Sequence, residues 1–467
     1  MLLAFAFFWY VQFADKVGSQ PVALSARAVE QRAQWHIPTD SLDYAVVPSY
    51  LDSVRARGAR VCHVSRWMNS ATVEATEATA AELRTLPFVT SVTLSRDHSD
   101  PIYGAPGRRK MPALHLGNDY SSNGRQLATY NLLPLHERGY EGQGIRMAVI
   151  DGAFANVRTL SCFDYVRNRL IGAYSFADDD TQGVYDSSGD HGTACLSTIA
   201  AKTSTYHGAA TEAEYVIIQS EEDPYESLKE PDNLVAALEL CDSLGVNVVS
   251  ISLGYAMFDN SSFNYTYADM NGINTRSSRA ATIAARKGML LCVAIGNEGQ
   301  DPWRYLSAPA DADSILTVGA VATDSVIGAF SSYGPSYDGR VKPEVCAVGV
   351  NAVLIGPNGR VYASQGTSFA CPLIAGMAAC LWSALPDENA MQIRERIIRS
   401  TNRYTNPNSH YGYGIPDAWA AYQFVPTDIR ETERETESTR KSLQNQRLII
   451  WRNGVQYDVT GRVISCD

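Results

Sequence analysis

The chain has 467 residues, 45% of them hydrophobic and 19% charged, with a formal net charge of −11. That length holds two or three domains at about 100–200 residues each, and that composition excludes wholesale disorder. The negative charge argues against nucleic acid as main partner, which would want a basic stripe, and beyond the N-terminus no run reaches the about 18 apolar residues of a membrane span.

The chain opens on MLLAFAFFWYVQFADK. The apolar start reads as a remnant of a secretory signal, residues 1–9, although no Lys or Arg precedes it and no small-x-small cleavage site follows. WYVQFADK then reads as a strand, and SARAVEQRAQW and PSYLDSVRARG as helices. ARVCHVSRW and SATVEAT alternate like paired strands with Met68-Asn69 in the turn. EATAAELRTL is a helix and VTSVTLS a closing strand. Two strand–helix–strand halves in residues 10–96 fit a split βαβ sandwich. Residues 97–119 begin rich in Asp, Pro, Gly and Arg and read as an exposed linker.

From residue 120 to 425 the pattern changes. QLATYNLLPLHERG is expected as one helix closed by Gly139. The strands IRMAVID, EYVIIQS, NVVSISLG, MLLCVAIGN and SILTVGAV then alternate with the helices HGTACLSTIAAK, DNLVAALELCDSLG, RAATIAARKG and TSFACPLIAGMAACLWSAL. Apolar strands alternating with helices predict a mainly parallel sheet covered on both faces, a three-layer α/β/α domain. Such sheets place ligands at the carboxyl ends of their strands. Residues 426–448 mix both charge signs and read as a linker. Residues 449–467 hold two short strands around Asn453-Gly454, a strong hairpin signal. The nine cysteines (62, 162, 195, 241, 292, 346, 371, 380 and 466) form no CxxC pair, and several sit in apolar runs. They read as small buried hydrophobes without a disulfide framework.

Four residues stand where chemistry is possible. Ser368, in GTSFACP, is either a helix cap or a nucleophile. His191 opens a helix, Asp151 ends a buried strand, and Asn297 ends another in AIGNEG. Each has an ordinary structural reading alone. Together they supply a nucleophile, its base, an orienting carboxylate and an oxyanion donor. A Ser hydroxyl is a weak nucleophile until an imidazole takes its proton. The imidazole needs a buried carboxylate to fix its tautomer. The oxyanion needs preorganised donors, here Asn297 and the backbone N–H of Ser368 at a helix N-terminus.

These residues carry a resemblance to the subtilisin-like serine proteases, or subtilases, which share the chain order Asp, His, Ser. The match covers roughly residues 120–425. HGTAC resembles the family's His motif, GTSFACP its Ser motif, AIGNEG its oxyanion Asn motif, and FSSYGPSYDGRVKPEVCAVG the segment between the last two. Ser252, Leu253 and Gly254 resemble the edge on which substrate backbone pairs. The chain departs from the family at Asp151, followed here by Gly-Ala rather than Ser/Thr-Gly, so a hydroxyl beside the carboxylate is missing. The resemblance implies a secreted or cell-surface endopeptidase acting on protein or peptide substrates, made as a zymogen with residues 10–96 as its own inhibitory propeptide. The tail RNGVQYDVTGRV resembles sorting signals of the type IX export system of Bacteroidetes. No cofactor is required. The family often binds calcium, and Asp178, Asp179, Asp180, Asp186 and Asp190 offer oxygens, although without known loop spacing. Two rivals remain: a non-catalytic binding protein on this scaffold, and a metallohydrolase using His191 and His207, which lacks any HExxH spacing.

Overall fold

The computed structural model describes residues 7–97, 122–177, 183–186, 189–222 and 224–424, and, in the C-terminal tail, 440–444, 447–452, 455–457 and 463–466. The chain divides into two units, residues 1–422 and 423–467.

The first unit begins with strand β1 (Phe7–Phe13), helices α1 (Ala26–Gln34) and α2 (Pro48–Ala56), strands β2 (Arg60–Ser65) and β3 (Ser70–Ala75), α3 (Glu77–Leu83) and β4 (Val89–Arg96). The four strands form an antiparallel sheet in the order β2-β3-β1-β4. β1 starts earlier than the sequence reading allows: Phe7, Phe8 and Trp9 pair with β3, so these three residues belong to the sheet and not to a leader. Trp9 is 3% exposed and packs with Val11, Phe13, Val54 and Leu83 in a core of its own.

The second half of the unit runs α4 (Ser122–Thr129), α5 (Leu133–His136), β5 (Arg146–Asp151), β6 (Leu170–Ser175), α6 (Gly183–Asp186), α7 (His191–Ala200), β7 (Glu214–Gln219), α8 (Lys229–Leu244), β8 (Val248–Ile251), α9 (Arg276–Arg286), β9 (Leu290–Ala294), β10 (Leu316–Val321), β11 (Val345–Val348), β12 (Ala352–Ile355), β13 (Val361–Ser364), α10 (Thr367–Ala384), α11 (Ala390–Arg399) and α12 (Ala418–Gln423). Seven strands form a parallel sheet in the order β11-β10-β9-β8-β5-β7-β6. One face packs against α7 and α10, the other against α8 and α9. Val149 and Ile150 read as a continuous apolar run because both faces are covered.

Three expectations change. The single helix over residues 126–139 is two short helices. Asn131, at φ 52°, breaks it, and Pro134 then opens α5. β6 and β11–β13 were not anticipated. β6 is half-buried and carries Gly172, so it lacks the apolar run of the central strands. In the tail, Arg440–Gln444 is a strand (β14) inside the stretch read as linker, followed by β15 (Arg447–Arg452), β16 (Val455–Tyr457) and β17 (Val463–Cys466). The expected hairpin, closing with Arg452 opposite Val455, is thus the middle of a four-stranded antiparallel sheet. Two strands alone are marginal in water, and four share their backbone bonds.

The two halves of the first unit meet along α8 and α9. Arg32 reaches Asp242 at 2.7 Å and Asp43 at 2.8 Å, and Arg66 reaches Asp242 at 2.7 Å. The Glu239 carboxylate accepts from the Ser65 hydroxyl and from the N–H groups of Arg66 and Trp67, both at 3.0 Å. Lys287 pairs with Asp40 and Asp43. Asp232, paired with Arg276, accepts from Thr72 and Ser95. Buried charges are tolerable only when paired like this.

Candidate active site

β5 lies inside the parallel sheet, where the strand order reverses, with β8 and then β9 on one side and β7 on the other. Asp151 therefore sits at the carboxyl edge beside Ser252, one residue past β8, and near Asn297, three past β9. α7 and α10 pack on one face and bring their first turns, with His191 and Ser368, to the same edge. This is the ligand position of open α/β sheets.

Asp151 is fully buried, and its Oδ1 accepts from Gly152 N–H at 2.8 Å and meets His191 Nδ1 at 2.7 Å. Burial works against a charged imidazole, but the Asp151 carboxylate overrides it and holds His191 well above the ordinary histidine value. The other carboxylate oxygen, Oδ2, is buried with no hydrogen-bond partner among the described residues. That orphan matches the Gly at 152, where a hydroxyl would have served. Gly192, next to His191, has a separate reason to be glycine: a Cβ there would lie 2.4 Å from the Ala153 carbonyl oxygen. The His helix can approach the Asp loop only without a side chain.

Ser368 is the second residue of α10 and does not cap it; Gly366 holds the cap position. Its hydroxyl donates to the Ser252 carbonyl at 3.3 Å rather than to the imidazole. Four residues on, Pro372 lies inside the helix. Proline has no N–H, so the Ser368 carbonyl loses its helical donor. The Ser252 hydroxyl donates to it at 2.8 Å instead, and the Cys195 thiol at 3.3 Å. Burial pushes the Cys195 thiol up to about 11, so it keeps its proton to donate. Sequence reasoning missed both donors. The signal was available: proline at i+4 announces a free carbonyl at the serine.

Asn297 is held by its oxygen, which accepts from Thr367 N–H at 2.9 Å and the Thr367 hydroxyl at 3.1 Å. Its amide NH₂ stays available for another acceptor. Behind it, the buried Glu298 carboxylate accepts from Asn297 N–H at 2.8 Å and the Ser332 hydroxyl at 3.0 Å. Burial pushes the Glu298 carboxyl up, and Ser332 partly offsets this. The Ser252 side chain is spent on Ser368. Leu253 and Gly254 make no backbone hydrogen bond among the described residues.

Asp151, His191 and Cys195 are the one group among the described residues whose ligand atoms cluster closely enough for a metal. Asp151 and His191 already bond each other there. His207 lies apart from this group and pairs with Glu141 at 2.9 Å. Asp178, Asp179 and Asp180, and the side chain of Asp186, lie outside the described residues, and Asp190 precedes α7 without capping it. The eight cysteines whose side chains are described are free thiols.

Two family models match the chain: the subtilase family over residues 142–414, and a peptidase propeptide domain of Bacteroidota over residues 9–106. The serine protease AprX of Bacillus subtilis (strain 168) is 26% identical over 310 residues, 59% of this chain and 66% of that protein. A thermostable alkaline protease of Halalkalibacterium halodurans is 29% identical over 296 residues, 63% of this chain and 72% of that protein. Subtilisin NAT of Bacillus subtilis subsp. natto is 26% identical over 381 residues, 80% of this chain and 85% of that protein. With its parallel sheet matched over more than half the chain and its N-terminal sheet matched as a propeptide, the chain belongs to the subtilase family of serine endopeptidases.

Proposed function

We propose that the chain is an exported zymogen whose processed form cleaves peptide bonds through an acyl-enzyme on Ser368. His191 takes the Ser368 proton as Oγ bonds to the substrate carbonyl carbon. It then passes that proton to the leaving amine as the C–N bond breaks, and water later releases the acyl group by the same route in reverse. Asp151 holds the imidazole tautomer and stabilises the imidazolium. The Asn297 NH₂ and the Ser368 N–H stabilise the oxyanion. Substrate backbone pairs with the open edge at Leu253 and Gly254. No metal takes part, and hydrolysis is expected to survive chelators.

The observation that carries this reading is the 2.7 Å contact between His191 Nδ1 and a fully buried carboxylate. It leaves Nε2 as the nitrogen to accept a proton. The turned hydroxyl of Ser368 favours the rival, a binding protein on this scaffold, but apo geometry of a catalytic serine is commonly loose. Labelling by a fluorophosphonate separates the two. Ser368→Ala should abolish both labelling and hydrolysis while circular dichroism stays native. Retained turnover in a folded variant would sink the nucleophile assignment.

A further inference from the structure

β4 is an edge strand of the N-terminal sheet, and its last residue, Arg96, pairs with Phe8 in that sheet while its side chain, 5.5 Å from the Phe8 ring, docks on the catalytic half. The guanidinium lies 3.8 Å from the centre of the Tyr225 ring and 3.1 Å from Glu222 Oε2. The next residue, Asp97, accepts from Asn260 Nδ2 at 2.7 Å.

The seat is built into the catalytic half. Glu222 and Tyr225 share one turn, closed by Tyr225 N–H to the Glu222 carbonyl at 2.6 Å. Glu222 is nine-tenths buried, and its second oxygen is held by Lys229, which also donates to Ala177 O at 3.1 Å. The turn is tied to the Asn260 loop by a reciprocal pair, Asp259 N–H to Glu226 O and Glu226 N–H to Asp259 Oδ2. Both loops rise from the edge that carries the candidate site: Ser220 N–H donates to Asp151 O at 3.1 Å, and Asn260 is six residues past Gly254.

We infer that Glu222, Tyr225 and Asn260 form a distal subsite that takes an arginine of a polypeptide substrate, followed by a polar residue. Arg96-Asp97 is its internal occupant. Any cut separating the two halves falls after residue 97, so the subsite reads the amino-terminal side of the scissile bond. Arginine suits it better than lysine, because a planar guanidinium stacks on the ring while its edge reaches the carboxylate. The inference rests on the protease reading.

The test uses the full chain after its own processing. Donor–acceptor peptides spanning residues 92–121 carry Arg, Lys, Ala or Glu at position 96. Arg96→Ala should lower kcat/KM about tenfold, chiefly through KM, the size of one partly desolvated cation–π contact. In Tyr225→Leu and Asn260→Ala enzymes that preference should vanish, while tetrapeptide substrates are cut at the wild-type rate. Equal kcat/KM for Arg and Ala peptides overturns the inference. So does a preference that survives Tyr225→Leu, or an N-terminal half that never vacates the seat after cleavage. Failure of the protease reading looks different: no peptide of either length is cut and no fluorophosphonate label appears. In that event, equal Kd values for Arg and Ala peptides by fluorescence anisotropy overturn the subsite by themselves.

Discussion

At the scale of single residues, Asp151 is the informative case. One oxygen has two partners and the other, equally buried, has none. A buried carboxylate oxygen without a donor raises the cost of the ion. Gly152 has room for the missing hydroxyl. A Cβ there meets Glu221 carbons at 3.8 and 3.9 Å, ordinary contact, and no left-handed backbone stands in the way. Gly152→Ser should therefore raise kcat up to about fivefold, the worth of one net hydrogen bond of about 1 kcal/mol. Unchanged or lower kcat in a folded variant would show that Oδ2 is served some other way. The His191–Asp151 pair also sets a pH dependence. As the proposed base, His191 works only when neutral, and its folded value lies above that of a free histidine, so activity should rise as pH climbs through the raised value. The rising limb of kcat/KM should thus be centred above about 6.5. Asp151→Asn removes the charge that holds the proton, so the limb should move to lower pH while the plateau falls about 10⁴-fold, as in other serine proteases. An unmoved limb would mean that another group titrates.

At the scale of elements, the junction of β8 with α10 positions Ser368, the proposed nucleophile. Pro372 costs the helix one backbone bond, and Ser252 and Cys195 supply donors from β8 and α7. Three elements thus converge on one carbonyl, which fixes the turn that presents the Ser368 hydroxyl. Ser252→Ala leaves the thiol as its remaining donor. A buried acceptor that loses its stronger partner costs about 1–3 kcal/mol. The thermal midpoint should fall, and kcat should fall about tenfold with KM nearly constant, because positioning rather than substrate binding is lost. An equal loss in KM would assign Ser252 to the substrate edge instead. The same logic explains Gly376 in α10, where a Cβ would lie 2.5 Å from Ala209 Cβ. The helix is packed too closely for a side chain.

At the scale of the molecule, the N-terminal half is fastened to α8 and α9 by buried ions, together with Tyr10, Trp67 and Met68, which join the apolar cluster there. Glu239 receives three donors from one short segment, Ser65, Arg66 and Trp67. Glu239→Ala would strand all three in the interface. An isolated segment spanning residues 7–97 should inhibit the processed enzyme in trans, and this substitution should weaken that inhibition at least about a hundredfold, near 3 kcal/mol. Inhibition by the segment at equal strength against both enzymes would place the binding energy elsewhere. Among the described residues, one helix, α10, is long and apolar enough to cross a membrane, and 89% of its window is buried. It is the core helix of the sheet.

Much of this was legible in the sequence, and the limits have a physical cause. Central strands such as IRMAVID are covered on both faces and announce themselves as apolar runs. The motif residues Asp151, His191, Asn297 and Ser368 stand at element ends, where the parallel-sheet rule alone directs ligands. Edge elements were not legible. β6 is half-buried, and β12 and β13 are short, so neither carries a long apolar pattern. What only tertiary structure decided is the pairing of groups distant in the chain. Ser252 with Ser368 spans 116 residues, Thr367 with Asn297 spans 70, and Arg96 with Glu222 spans 126. Hydrophobic periodicity specifies which face of an element is buried. It says nothing about which polar group on another element arrives to satisfy a carbonyl, an amide or a guanidinium, because that depends on how the layers pack.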